Sequence, residues 1–330
     1  MSNKNTADDY NKYISSIHKT LITPEEIIRD IVKQGTGIKL LIKDRIIAGE
    51  VNEVYDITLS NKRHVILRIS RQGYPNFQQE KWAITECKRA GVPVPEILLI
   101  KYVTIKNKKC SICLMEKIDG EPLERGGLDF EKLNLETRKR LIRQAGEILS
   151  RIHSIETRGF GWIIGEGKAE YSNFENLLKE RLRKKDALER IIMEEGMDKN
   201  TIRTAFRIIN RFADEYAEQI PKLNHGDYSH KHFMVKDNKI TGILDWGSVR
   251  SDSPVYDFST WDYWFGDYIP TEWLKEGYQD KSLFDSNFED FLHMLRIFNA
   301  LDLLEWYYKK NQHTLDKVKE TLLKDLEYFK

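Results

Sequence analysis

The 330-residue chain lacks the features that would tie it to a special environment or to a nucleic-acid partner. Three cysteines are too few for a disulfide framework, and a net charge of +1 gives no general attraction for nucleic acid. The longest apolar runs, such as residues 97–100, are far too short to span a membrane, and no apolar signal core follows the first residues. Internal repeats and low-complexity segments are absent as well. We therefore expect a cytoplasmic protein with no nucleic-acid or membrane partner.

The cysteines do not make a convincing metal site. Cys110 and Cys113 have the spacing of half a zinc site, but no second pair and no nearby histidine completes it. Both lie in a predicted strand, where residues three apart point to opposite faces. We interpret them, together with Cys87, as thiols packed inside a reduced protein.

The remaining composition and patterning predict two lobes. Forty per cent of the residues are hydrophobic and 32% are charged, as in a globular protein with a large core. After a polar N-terminal arm at 1–22, residues 23–114 contain five strand-like runs and one main helix at about 77–89. A break at 115–120 predicts a hinge, and residues 121–330 are mostly helical. The pattern indicates an α+β, bilobal, protein-kinase-like fold, with a small antiparallel sheet in the N-lobe and a larger helical C-lobe.

Two acidic motifs bracket the clearest short hairpin of the chain. The first is His225-Gly226-Asp227, and the second is Leu244-Asp245-Trp246-Gly247. Phosphoryl transfer needs two carboxylates of this kind, because one orients the attacking hydroxyl and the other holds the metal on the nucleotide.

The register of that hairpin follows from its turn. A two-residue turn at Asn238-Lys239 would pair Asp237 with Ile240. Counting inward from that pair, His232 faces Asp245, as expected for a pair of metal ligands on two strands.

With these motifs and with Asp252-Ser253-Pro254-Val255-Tyr256-Asp257, the chain resembles the aminoglycoside phosphotransferase family over roughly residues 24–305. That family of small-molecule kinases includes hygromycin- and macrolide-modifying enzymes and the choline, homoserine and methylthioribose kinases. The resemblance implies transfer of the γ-phosphoryl group of ATP or GTP to a hydroxyl group. It also implies Mg²⁺ as the metal, with Mn²⁺ as the alternative.

The resemblance assigns roles to Asp227 and Asp245 of the two acidic motifs and to His232 between them. Asp227 matches the catalytic aspartate, and Asp245 matches the metal aspartate. His232 stands where the family more often has Asn, and an imidazole suits manganese or zinc better than magnesium. His232 is therefore expected to bind the metal, or else to act through water or contact phosphate. His225 is expected to hold the catalytic loop through backbone hydrogen bonds.

The nucleotide residues are expected mainly in the N-lobe. Arg68 occupies the position of the phosphate-binding lysine, and Glu80 is the expected carboxylate partner, with Glu86 as the alternative. Gly49 lies in the predicted nucleotide loop. At the hinge, backbone groups of Glu116 and Ile118 are expected to read the purine edge, without a choice between ATP and GTP.

The acceptor is expected to be cationic. Residues 257–290 contain nine Asp or Glu, two Lys and no Arg, beside a group of aromatic residues. Negative charge next to aromatic faces attracts a cationic alcohol. The candidate contacts are Asp257, Trp261, Asp262 and Trp264. The alternatives are buried rings with solvated acids, and an architectural role for Asp257, which would hold the loop that carries Asp245.

Three hypotheses for the function follow. The first is a kinase for an aminoglycoside-type antibiotic or a related cationic sugar. The second is a metabolic kinase of the choline, homoserine, methylthioribose or macrolide type. The third is a nucleotide-binding pseudokinase. The oligomeric state is left open between monomer and dimer.

Overall fold

The computed structural model describes residues 22–47, 52–71, 77–124 and 126–330, and it confirms the α+β, bilobal plan. The N-lobe is a five-stranded antiparallel sheet with two helices. Its strands are β1 (Leu40–Ile46), β2 (Asn52–Leu59), β3 (His64–Ser70), β4 (Ile97–Ile105) and β5 (Lys108–Glu116), in the order β1-β2-β3-β5-β4. Its helices are α1 (Glu25–Thr36) and α2 (Phe77–Arg89).

The two faces of this sheet have different environments. In β2, residues alternate between buried and half-buried, as the period of two in a strand requires. The buried set includes Ile57 and Leu59, which join Ile28 and Ile31 of α1 in one apolar cluster. The other face carries Arg68. Helix α1 therefore covers the outer face of the sheet and leaves the Arg68 face for the site.

The C-lobe is mostly helical. Its helices are α3 (Leu135–Ile152), α4 (Phe174–Leu182), α5 (Lys185–Glu194), α6 (Asn200–Ala217), α7 (Val255–Phe265), α8 (Thr271–Gly277), α9 (Phe288–Tyr307) and α10 (Gln312–Tyr328). Its strands are β6 (Glu121–Pro122), β7 (Phe160–Gly165), β8 (Lys168–Tyr171), β9 (Lys222–Asn224), β10 (Phe233–Lys236), β11 (Lys239–Ile243) and β12 (Arg250–Asp252). They form a three-stranded sheet, β11-β10-β6, and a four-stranded sheet, β8-β7-β12-β9. Apolar stripes of α3 and α9 supply much of one core, for example Leu141, Leu149, Leu292 and Phe298.

The register predicted for the β10–β11 hairpin is wrong by about one residue. The turn lies at Asp237-Asn238, where φ is 51° and 57°, and Lys236 pairs with Lys239. Hairpin turns with both central residues at positive φ favour Asp and Asn over Lys. A bulge then pairs Phe233 with Ile243, so Asp245 lies beyond the ladder.

The hinge is anchored on this hairpin. Strand β6 pairs with β10, and the Thr241 hydroxyl donates to the Asp119 carbonyl at 2.7 Å. The side chain of Ile118 packs directly on Gly242, where no side chain would fit. The exit of the hinge is thus fixed to the segment that leads into Asp245.

Cys87, Cys110 and Cys113 are buried free thiols, which confirms that they are packed and not part of a disulfide. Within the described ranges, no helix is long and apolar enough to cross a membrane.

Candidate active site

Asp227 and Asp245 meet on either side of one histidine. His232 Nε2 lies 3.9 Å from Asp227 Oδ2 and 3.5 Å from Asp245 Oδ2. The two carboxylate side chains are 51% and 46% exposed, whereas the imidazole is 3% exposed. The fold therefore brings two acids that are eighteen positions apart to one solvent-accessible place, above a buried ring.

The segment that carries Asp227 is held through its backbone. The Asp227 N–H donates to His225 Nδ1 at 3.3 Å, and His225 Nε2 donates to the Leu244 carbonyl at 3.0 Å. Both nitrogens of His225 are used in its neutral form, and burial lowers the pKa of this imidazole. The expected backbone hydrogen bonds of His225 are present, and they tie the Asp227 loop to the residue before Asp245.

Asp257 is a second anchor of this loop. It is fully buried, and its carboxylate accepts hydrogen bonds from the backbone N–H groups of His225 and Gly226, each at 2.8 Å. His153 Nε2 lies 3.1 Å from the same carboxylate. The expectation that Asp257 contacts substrate is therefore wrong, and the architectural alternative fits the contacts. The loop that it holds is the one before Asp227, not the one that carries Asp245.

His232 is oriented towards the two acids. Its Nδ1 lies 3.0 Å from the Asp227 carbonyl oxygen, which only accepts hydrogen bonds, so Nδ1 carries the proton and Nε2 faces the carboxylates. Asp245 has φ of 66°, a left-handed conformation that is uncommon outside glycine and often marks functional sites.

These residues fit a magnesium ion only as part of a larger set of ligands. Among the residues with described positions, no group of three or more His, Cys, Asp or Glu is arranged to hold a metal ion. Mg²⁺ is commonly bound by one or two carboxylates together with substrate phosphates and waters. The half-exposed Asp245 carboxylate beside His232 Nε2 matches that pattern.

Arg68 and Glu80 form a bidentate ion pair. Arg68 Nη1 lies 2.6 Å from Glu80 Oε2, and Nη2 lies 3.3 Å from Oε1. Burial raises the pKa of the Glu80 carboxyl, and the guanidinium offsets part of that rise. Burial opposes the charge on Arg68, but Glu80 and then Asp245 raise the pKa of this residue, so the guanidinium lies within electrostatic reach of Asp245. The alternative partner, Glu86, instead pairs with Arg89.

The sheet face around Arg68 is apolar towards β1. Ile46 pairs with Val54, and Val54 pairs with Arg68, so the three side chains point to the same face. Ile46 is 37% exposed, which leaves apolar surface beside the guanidinium. Gly49 lies outside the described residues.

At the hinge, the Glu116 N–H already donates to the Glu96 carbonyl at 2.8 Å. The Glu116 N–H is therefore engaged inside the sheet and is not available to read a purine edge.

The remaining predicted substrate residues are buried or have partners within the C-lobe. Trp261 is fully buried between aromatic neighbours, so the expectation that it contacts a ligand is wrong. Asp262 is paired with Arg296 and accepts a hydrogen bond from Thr271. Trp264 is half-buried, with the Lys317 ammonium 5.6 Å from its ring centre. The aromatic rings of α7 therefore pack mainly in the core, which was the alternative to a substrate-binding role.

A different set of residues, which the sequence did not indicate, flanks the segment that carries Asp227. Tyr268 is 46% exposed, and its ring lies 6.0 Å from that of His230. Burial raises the pKa of Tyr268 to about 12, and the charges of Glu124 and Glu131 add to the rise. An aromatic face and two acids therefore lie beside the segment that carries Asp227.

Comparison with known proteins gives one family and several similar structures. A sequence model described as the phosphotransferase enzyme family matches residues 45–290. No curated protein matches by sequence.

Among solved structures, a thermostable mutant of aminoglycoside phosphotransferase APH(4)-Ia, in ternary complex with ADP and hygromycin B, is 15% identical with a TM-score of 0.71. The alignment covers 91% of this chain and 98% of that chain. ADP-bound APH(2″)-Ib is 17% identical with a TM-score of 0.61, covering 93% of this chain and 99% of that one. A putative fructosamine-3-kinase from Haemophilus somnus 129PT is 15% identical with a TM-score of 0.62, covering 89% and 96%.

Proposed function

Because this chain belongs to the phosphotransferase enzyme family, we propose that it transfers the γ-phosphoryl group of ATP or GTP to a hydroxyl group of a small molecule. The proposal depends on one observation above all. Two exposed carboxylates, Asp227 and Asp245, lie on either side of His232, and the charge of Asp245 reaches the Arg68–Glu80 pair. The site thus combines groups for a hydroxyl, a metal and a phosphate chain.

Asp227 is the proposed catalytic base. An alcohol is a weak nucleophile, and a carboxylate that accepts its proton both orients and activates it. The half-exposed side chain allows an acceptor to approach, while His225 and Asp257 hold the loop from behind.

Asp245 and His232 are the proposed protein ligands of a divalent cation. When bound, this ion would neutralise charge on the nucleotide phosphates. The orientation of His232 Nε2 supports this role, since Nδ1 is already engaged by the Asp227 carbonyl.

Arg68 is proposed to bind the phosphates, with Glu80 fixing its guanidinium. The apolar face formed by Ile46 and Val54 would cover the purine, and the backbone of Glu116 and Ile118 would contact its edge. Gly49 remains a proposed contact of the phosphates. Neither purine is favoured by these groups.

The proposed acceptor is an aminoglycoside-type antibiotic or a related cationic sugar. Its support is the exposed face of Tyr268 with Glu124 and Glu131, next to the Asp227 segment. Acids beside an aromatic face attract ammonium groups. The hygromycin B bound in one similar structure agrees with such an acceptor. Because another similar structure is a putative fructosamine-3-kinase, fructosamines are a second class of acceptor to test.

The test is release of nucleoside diphosphate by the purified protein, with ATP and GTP in parallel and with Mg²⁺ or Mn²⁺. The acceptors are aminoglycosides, fructosamines, a macrolide, choline, homoserine and methylthioribose. We expect release that depends on a cationic sugar and that Asp227→Asn abolishes. Release with choline or homoserine alone would move the assignment to a metabolic kinase. Nucleotide binding without release for every acceptor would favour a pseudokinase.

A further inference from the structure

Helix α2 lies between β3 and β4 in sequence, but much of it packs with the other lobe. Its buried residues Ala83, Ile84 and Cys87 belong to the same apolar cluster as the C-lobe helices. In contrast, Ile28 and Ile31 of α1 belong to the cluster on the outer face of the sheet. At the start of α2, however, Phe77 packs with Cys113 and Met115 of β5, and Glu80 pairs with Arg68 of β3. Helix α2 therefore contacts both lobes, and its middle and end pack with the C-lobe.

The chain that leaves α2 is attached to the C-lobe in the same way. Arg151 Nη1 donates to the Gly91 carbonyl at 3.0 Å, and the Ile243 N–H donates to the Pro93 carbonyl at 2.8 Å. Ile243 ends β11, two residues before Asp245. The exit of α2 is therefore fixed to the C-lobe close to Asp245, while the Arg68–Glu80 ion pair joins the helix to the sheet.

Trp82 makes a separate contact between α2 and the C-lobe, on the same helix turn as Glu80. Its ring lies against Gly167, in the tight turn between β7 and β8. Gly167 has φ of 72°, and a Cβ there would lie 2.8 Å from Trp82 Cζ2. Glycine is thus needed for two reasons, the left-handed backbone and the space that the indole fills.

We propose that Trp82 is a positioning residue for nucleotide binding, which holds Glu80, and through it Arg68, in place from the C-lobe side. The inference rests on the proposed use of a nucleotide. Trp82 is half-buried at the surface of α2. It is not one of the residues proposed to bind the metal or the acceptor. Its removal should therefore weaken nucleotide binding without altering the acceptor site.

The experiment measures the ATP dissociation constant by calorimetry, with Mg²⁺, for wild type, Trp82→Ala, Trp82→Phe and Trp306→Ala. Trp306 is the matched control, because it lies on α9 and is 57% exposed. We expect Trp82→Ala to raise the constant about tenfold, within the range for residues coupled through one ion pair. Trp82→Phe should restore most of the affinity, and Trp306→Ala should leave it unchanged. KM for the acceptor should stay at the wild-type value in all four proteins.

A double-mutant cycle with Glu80→Gln distinguishes positioning of Glu80 by Trp82 from a general destabilisation of the protein. If Trp82 acts through Glu80, Trp82→Ala will add little to the effect of Glu80→Gln. Should Trp82→Ala fail to fold, Trp82→Leu provides the same test, because it removes the ring from Gly167 and keeps an apolar side chain. The inference would be refuted if the two substitutions raised the ATP dissociation constant by independent factors that multiply in the double mutant. It would also be refuted if Trp82→Ala had the wild-type dissociation constant. Wild-type protein that bound no nucleotide would instead refute the proposed function on which it rests.

Discussion

Replacement of Asp257 by Asn should destabilise the protein strongly, although the two side chains have nearly the same shape. The carboxylate is fully buried and accepts from two backbone N–H groups and from His153. An amide keeps one acceptor oxygen but turns an NH₂ group towards a donor. The N–H that the amide faces and the NH₂ group itself then both lack an acceptor. Leaving a buried donor without a partner costs about 1–3 kcal/mol, so two such donors cost about 2–6 kcal/mol.

The assay is urea unfolding followed by circular dichroism, with Asp267→Asn as the control. Asp267 is exposed and lies just beyond the end of α7, so the same substitution there should change stability by less than about 0.5 kcal/mol. Turnover of Asp257→Asn should fall as well, because the loop before Asp227 loses its anchor. If Asp257→Asn and Asp267→Asn have equal free energies of unfolding, the anchoring role of Asp257 is wrong.

Three further predictions concern the metal site and the thiols. Asp245→Ala should lose the part of the nucleotide affinity that depends on metal, as calorimetry with and without EDTA would show; equal affinities in both would contradict the ligand role. His232→Asn should raise the ratio of Mg²⁺- to Mn²⁺-supported turnover, since an amide oxygen is a harder ligand than an imidazole; an unchanged ratio would exclude direct coordination. Burial raises the pKa of Cys113 to about 12 and that of Cys87 well above its usual value, so at pH 8 both stay protonated. Ellman's reagent should label none of the three cysteines in the native protein and all three in denaturant, and a rapidly reacting native thiol would contradict the packing.

The acidic motifs and the ion pair could be predicted because local patterns define them. Alternation in β3 places Arg68 opposite the packed face of the sheet, and Glu80 is an acid near the start of the next helix. The hairpin register could not be predicted by counting, because the bulge in β10–β11 depends on packing that a turn rule does not include.

The errors in α7 have a physical cause that the sequence did contain. Apolar and aromatic residues occur all round this helix, which is typical of a helix buried on every side, and Trp261 is accordingly in the core. The partners of Asp257 are different. They are backbone N–H groups more than thirty positions earlier, and no sequence pattern reports which carboxylate will meet them.

The most direct test of the account is the effect of Asp227→Asn on turnover and on nucleotide affinity in the same protein. Loss of the base should lower turnover at least about 10²-fold. The dissociation constant for ATP should stay at the wild-type value, because the Arg68–Glu80 pair and Asp245 are intact. A variant that releases ADP at the wild-type rate would show that Asp227 does not accept the proton, and the proposed site would be wrong.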